Sequence, residues 1–189
     1  MRRTIIDPLG DLLALTIETV LSFQFSRRWF IALLYGIICH LIFMASVLAM
    51  LIAMFFGMSK SFGNVPNPYS YLSNLLLLLQ FPLAHSFLLS SKGRKFLFYF
   101  SPKEYSKTLA PTVFALFASI QLFLLFFFWT PTKIIIWEAS GTSFFLMCNL
   151  YAYSWILLIW ASIDAGAEVQ SGALGWMSLA QNKIPKFPD

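Results

Sequence analysis

The sequence predicts an all-α integral membrane protein: four transmembrane helices, both termini in the cytoplasm, and an N-terminal interfacial helix. Three observations predict it. Residues 29–59, 61–91, 108–132 and 139–163 contain no Asp, Glu, Lys or Arg, and each run exceeds the ~20 apolar residues that cross a bilayer. The 189-residue chain is 59% hydrophobic and 11% charged, against about 25% charged for a soluble domain. So few charges cannot cover a water-facing surface of this size. Finally, the 13 Lys and Arg residues divide unevenly between the two sides of the runs. Arg2, Arg3, Arg27, Arg28, Lys92, Arg94, Lys95, Lys103, Lys107, Lys183 and Lys186 make 11 on one side, and Lys60 and Lys133 make 2 on the other. An excess of Lys and Arg marks the cytoplasmic face.

Residues 1–28 form a cytoplasmic extension. Asp7-Pro8 is a helix start, with an acid near the N-terminus and Pro in the first turn. From Leu9 to Phe25 apolar residues are interrupted by Asp11, Thr16, Glu18, Thr19, Ser22 and Gln24. That mixture suits a helix lying in the membrane interface and ended by Arg27-Arg28 at the headgroups, or one docked on a protein partner. Asp7, Asp11 and Glu18 also interrupt the place where a signal-peptide apolar region would lie.

Span one covers 29–56, with Trp29 at one interface and Gly57, Ser59 and Lys60 at the other. The segment 63–68 holds two prolines and a glycine and is a loop. Span two covers 71–90, interrupted by Pro82. Residues 91–109 are the most basic loop. Span three covers 111–129, and Thr130-Pro131 opens a short loop carrying Trp137 as an interfacial aromatic. Span four covers 142–163. The tail, 164–189, reads as a surface-lying cytoplasmic segment with a helical turn or two around Leu174–Ala180. The whole is a four-helix transmembrane bundle, 29–163, between an extension and a tail.

The basic residues flank the spans, so inner-leaflet electrostatics explains the net charge of +5 and a nucleic-acid partner is not expected. Lys92, Arg94 and Lys95 are candidate contacts for lipid phosphates. Cys39 and Cys148 lie inside spans, with no CxxC pair or zinc-type spacing, and read as small buried apolar side chains. Polar side chains within spans are the first candidates for chemistry: His40, Asn74, Gln80, His85, Gln121 and Asn149. None of them is an acid, which leaves a proton relay or ion pump little to work with. His40 lies eleven residues beyond Trp29, and His85 five before Ser90. In antiparallel spans they differ in depth by about 9 Å, which argues against a shared haem and for interhelical hydrogen bonding. His85 and Ser86 are adjacent, so their side chains diverge around a helix by about 100°. No GxSxG, GxGxxG, P-loop or HExxH pattern occurs. Asp164 and Glu168, at i and i+4, would share a face if span four persisted through Gly166.

In order, the segments Leu34-Tyr35-Gly36, Ala84-His85-Ser86 followed by basic residues, Glu104-Tyr105-Ser106, Trp129-Thr130-Pro131, Trp137 and the tail from Ile163 to Trp176 resemble a known family. Over residues 29–189 the chain is similar to the N-terminal part of the NnrU and methanethiol S-methyltransferase-like membrane proteins, within the isoprenylcysteine carboxyl methyltransferase superfamily. The resemblance implies that S-adenosylmethionine binding belongs to a C-terminal half with an Arg-(His/Gln)-Pro-x-Tyr motif. That motif is absent from these 189 residues, which end at Lys186-Phe187-Pro188-Asp189, about where that half should begin. It therefore implies no catalytic and no cofactor-binding residue here, and no cofactor for this chain unless such a half exists. His85 and Ser86 match a family signature and, with His40, are candidate interhelical or substrate-side polar residues.

Three functions are consistent with this reading. The first is a non-catalytic subunit in a bacterial inner membrane: a methyltransferase-like scaffold contacting lipids and other membrane subunits of a larger complex, photosynthetic or respiratory. The second is a methyltransferase for a thiol or lipophilic acceptor, if the chain is part of a longer protein. The third is a haem- or quinone-binding protein resting on His40 and His85.

Overall fold

A computed structural model describes residues 7–23, 25–135 and 137–185. Arg2, Arg3 and Lys186 of the charge count, and Gln24, lie outside them. Four helices are long and apolar enough to span a membrane: α2 (Arg27–Phe55), α3 (Tyr69–Leu89), α5 (Ser106–Phe127) and α6 (Gly141–Asp164). Shorter helices accompany them: α1 (Asp7–Leu21), α4 (Ser91–Leu97), α7 (Ala167–Gln170) and α8 (Ala173–Ala180). Among the described residues there is no strand. The expected all-α architecture with four spanning helices is present.

Several elements differ from the sequence expectation, each for a local reason. Arg27 and Arg28 open α2 instead of ending α1. Ser26 is the cap, extended at φ −134° and ψ 150°, and its hydroxyl accepts from the Trp29 amide at 3.3 Å. Oxygen-bearing side chains at this position satisfy amides that have no partner within the helix. Helix α5 starts five residues before Pro111, and α3 continues through Pro82.

The stretch after α3, expected as a loop, contains α4 and a single 3-10 turn, Phe98–Phe100. Ser90 ends α3 and caps α4, its hydroxyl accepting from Gly93 N at 3.1 Å. Gly93 permits this reversal, because a Cβ there would overlap the Phe87 carbonyl and the Leu88 backbone.

The bundle is built around α2 and α5, with α3 against α5. Its core, at the basic end, gathers Ala32, Leu88, Leu97, Leu109, Val113, Leu179 and Ala180. Two of those residues belong to α8. The tail is thus not surface-lying: α8 packs against both α2 and α5, and seven of its eight residues are buried. Within lipid, apolar area gives little drive for such packing, so close approach by small side chains is what holds it.

The opposite end is stitched by polar bonds. The Asn74 side chain clamps the Thr130 backbone, donating to its carbonyl at 2.8 Å and accepting from its amide at 2.9 Å. Phe62 donates to the Phe127 carbonyl at 2.9 Å and stacks on its ring. Helix α6 stands apart. None of its residues is buried, and only Cys148, Tyr151, Trp155, Ser162 and Ile163 are partly covered.

Candidate functional site

The most constrained polar arrangement lies where α8 enters between α2 and α5. The Thr112 hydroxyl both donates to the Gly172 carbonyl, at 2.6 Å, and accepts from the Trp176 amide, at 2.9 Å. One side chain of α5 therefore bridges the Gly172 carbonyl and the Trp176 amide, the two backbone groups that open the first turn of α8. The Cys39 thiol, fully buried, points at the carbonyls of Thr112 and Ser171 at 3.5 and 3.4 Å.

Glycines make the approach possible. A Cβ on Gly36 would lie 2.7 Å from the Trp176 ring, and one on Gly175 would lie 2.9 Å from the Thr108 carbonyl oxygen. At Gly172, φ is +76° and a Cβ would meet Cys39 Sγ at 2.9 Å, a conformation and a space that both require glycine.

His40 belongs to this arrangement. Its ring meets the Trp176 indole edge-on at 5.9 Å between centroids, beside the Ser171 backbone. His85 is elsewhere, in the seam between α3 and α5. It is stacked on Phe81 at 5.5 Å and edge-on to Phe114 at 5.0 Å. Its Nδ1 is buried and has no hydrogen-bond partner among the described residues. The two histidines therefore sit among different neighbours, and nothing in the structure brings them to one ligand. Ser86 is exposed and forms no described hydrogen bond with His85.

The remaining polar candidates are used differently. Gln80 donates to the Gln121 carbonyl at 2.9 Å, joining α3 to α5. Asn149 turns back on its own helix, donating to Phe145 O at 2.8 Å. Asp164 and Glu168 do not share a helical face. Gly166, at φ 90° and ψ 79°, breaks the helix between them. Among the described residues no group of three or more His, Cys, Asp or Glu side chains converges.

The basic candidates Lys92, Arg94 and Lys95 are all exposed on α4. Nearby, the Tyr105 phenol is held above its ordinary pKa by burial first and then by Glu104, while Arg27 and Arg28 pull the other way. Those influences bring the start of α2 electrostatically close to the start of α5.

Two of the segments behind the family resemblance touch each other, and others bond to residues outside them. Gly36 lies under Trp176, Tyr35 donates to Phe100 O at 2.7 Å, and Thr130 is the residue gripped by Asn74. Sequence reasoning missed Thr112, Gly172 and Gly175 as partners. The available signal was the small residues themselves, Gly36, Cys39, Thr112, Ala115, Gly172 and Gly175, a class enriched where helices approach closely in membranes.

No family model matches the chain, and no solved structure matches it. It is similar to methanethiol S-methyltransferase 1 of Bradyrhizobium diazoefficiens, 28% identical over 134 residues that cover 68% of this chain and 46% of the relative. The chain spans about half the length of the curated relative it matches. The matched stretch supports only a distant relation to methyltransferase-like membrane proteins, and the four helices long and apolar enough to cross a membrane agree with it.

Proposed function

We propose that this four-span unit is a non-catalytic scaffold in a bacterial inner membrane, holding other transmembrane subunits and lipids within a larger complex. The observation that carries the reading is α6, a 24-residue spanning helix with no buried residue. It meets α2 mainly where the Tyr151 hydroxyl donates to the Leu51 carbonyl at 2.6 Å and its ring meets Phe55. Most of its circumference, including Leu146, Ile156 and Trp160, is open to lipid or to another helix. Asn74 and Gln80 support the reading as well, since each bonds to the backbone of another element.

A photo-crosslinking amino acid at Leu146, Ile156 or Trp160, placed in the full-length protein in cells, tests it. A discrete adduct with a second membrane protein is expected, and its identity reads whether the complex is photosynthetic or respiratory. Adducts with lipid alone at all three positions overturn the scaffold reading.

A second reading is favoured by the relative's activity: an S-adenosylmethionine-dependent transferase of methyl groups to a small thiol. Calorimetry of the full-length purified protein with S-adenosylmethionine, followed by methyl transfer from the labelled cofactor to methanethiol, tests it. Saturable binding with turnover replaces the scaffold reading.

A further inference from the structure

Between the end of α3 and the start of α5 the chain folds back on itself and forms an open pocket of about 230 Å³. Lys95, Phe98, Tyr99, Ser101, Lys103 and Ser106 line it. Lys95 comes from α4 and Lys103 from the link to α5, so two lysines from separate elements line one concavity that no carboxylate lines. The Ser101 hydroxyl oxygen is buried and has no hydrogen-bond partner among the described residues. Buried polar atoms are nearly always paired. The Ser106 hydroxyl donates to the Lys103 carbonyl at 3.1 Å, which fixes the link that carries Lys103. Phe98 supplies an apolar wall, and Tyr99 stands at the rim, largely exposed. The pocket is smaller than the ~300 Å³ at which drug-sized ligand sites begin, so it suits one charged group with a short attachment.

We propose that Lys95, Lys103 and Ser101 form a discrete binding site for a single phosphate group, carried by an anionic membrane lipid or by a small phosphorylated solute at the membrane surface. Lysines bind phosphate as compact point charges, and charge-assisted bonds to phosphate oxygens are about twice as strong as neutral ones. The hydroxyl of Ser101 supplies the donor that a phosphate oxygen accepts. Lys92 and Arg94, which the sequence groups with Lys95 as phosphate contacts, do not line the pocket. They add only to the diffuse field that attracts anionic lipid, an attraction every surface cation shares.

That distinction sets the test. The full-length protein in mild detergent is titrated with phosphatidylglycerol, and separately with glycerol 3-phosphate, and bound species are counted by native mass spectrometry. Wild type is expected to saturate at one phosphate-bearing molecule per chain. K95Q/K103Q is expected to weaken binding roughly ten-fold or more, whereas K92Q/R94Q, which removes the same charge from side chains that do not line the pocket, is expected to weaken it clearly less. S101A, with charge unchanged, is expected to weaken it by about three-fold or more. Retention of the lipid alone assigns the phosphate to the bilayer. Displacement of the lipid by glycerol 3-phosphate assigns it to a solute. Equal losses in the two double variants, or non-saturating uptake of both probes by wild type, overturn the proposal.

Discussion

At Gly36 and Gly175 the missing side chains leave room for different neighbours, and that decides what each substitution does. A Cβ at Gly36 meets the Trp176 ring, which can tilt. A Cβ at Gly175 meets the Thr108 carbonyl at 2.9 Å and the Thr112 amide at 3.0 Å, which belong to the α5 backbone and cannot. Overpacking of this kind costs about 1–3 kcal/mol. Gly175→Ala is therefore expected to lower thermal stability in detergent, followed by tryptophan fluorescence, more than Gly36→Ala does. Equal or reversed effects would show that α8 is held some other way. Asn74 makes a sharper case, because one side chain serves both the amide and the carbonyl of Thr130. Asn74→Ala leaves two backbone groups unpaired and is expected to cost about 1–3 kcal/mol, read by unfolding in mixed micelles. Asn74 was legible in the sequence as a polar residue inside a span, but its partner was not. Thr130 lies 56 residues away in a loop, and nothing in local spacing announces such a pairing.

Helices α8 and α4 are the elements that composition concealed. The spanning helices announce themselves, because a run of uncharged residues longer than the bilayer has few alternatives to crossing it. Residues 173–180 are too short and too small-sided to signal anything but a turn or two, and their burial comes from complementary gaps in α2 and α5 that only the assembled bundle reveals. In a Cys148→Ser background, Ser178→Cys is expected to resist a membrane-permeant maleimide while Asn182→Cys, just past the helix, reacts. Prompt labelling of both positions would mean that α8 lies on the surface, as the sequence alone suggests. Beyond α8 the chain ties back to α1, where Gln181 donates to Leu15 O at 3.0 Å and Lys183 pairs with Glu18 at 2.6 Å. That ion pair is more than half exposed on both sides and contributes at most about 1 kcal/mol. The rest of α1 presents Leu9, Leu13, Val20 and Leu21 outward, an apolar stripe suited to the membrane interface.

Over the whole molecule, the uneven cations set an expectation for orientation that the helices alone do not settle. Single cysteines at Asn64 and Glu138 are expected to react with an impermeant reagent in intact spheroplasts, and one at Lys92 only after lysis. The reverse pattern would invert the protein in the membrane. Length bears on how the bundle sits. The 29 residues of α2 reach about 43 Å, well beyond the ~30 Å hydrocarbon core, so its first turns stand among the headgroups. Helix α6 is offset the other way. Tyr151, ten residues into α6, bonds Leu51, four residues from the end of α2. Thirteen residues later α6 ends at Asp164, about level with Cys39, and the Cys39–Ser171 contact agrees with that depth. The offset was illegible in the sequence, because apolar runs report that a helix crosses but not at what height it meets its neighbours.

The crevice that receives α8 is lined by residues numbered between 32 and 115, but its contents are numbered 172 to 180. During synthesis α2 and α5 emerge first and meet with a furrow between them that only later chain can close. Until then Thr112, Cys39 and the glycine notch at Gly36 face acyl chains. Assembly thus has a built-in last step, and a chain stalled before Ala173 would expose a polar furrow that quality-control proteases of the membrane can distinguish from a finished bundle.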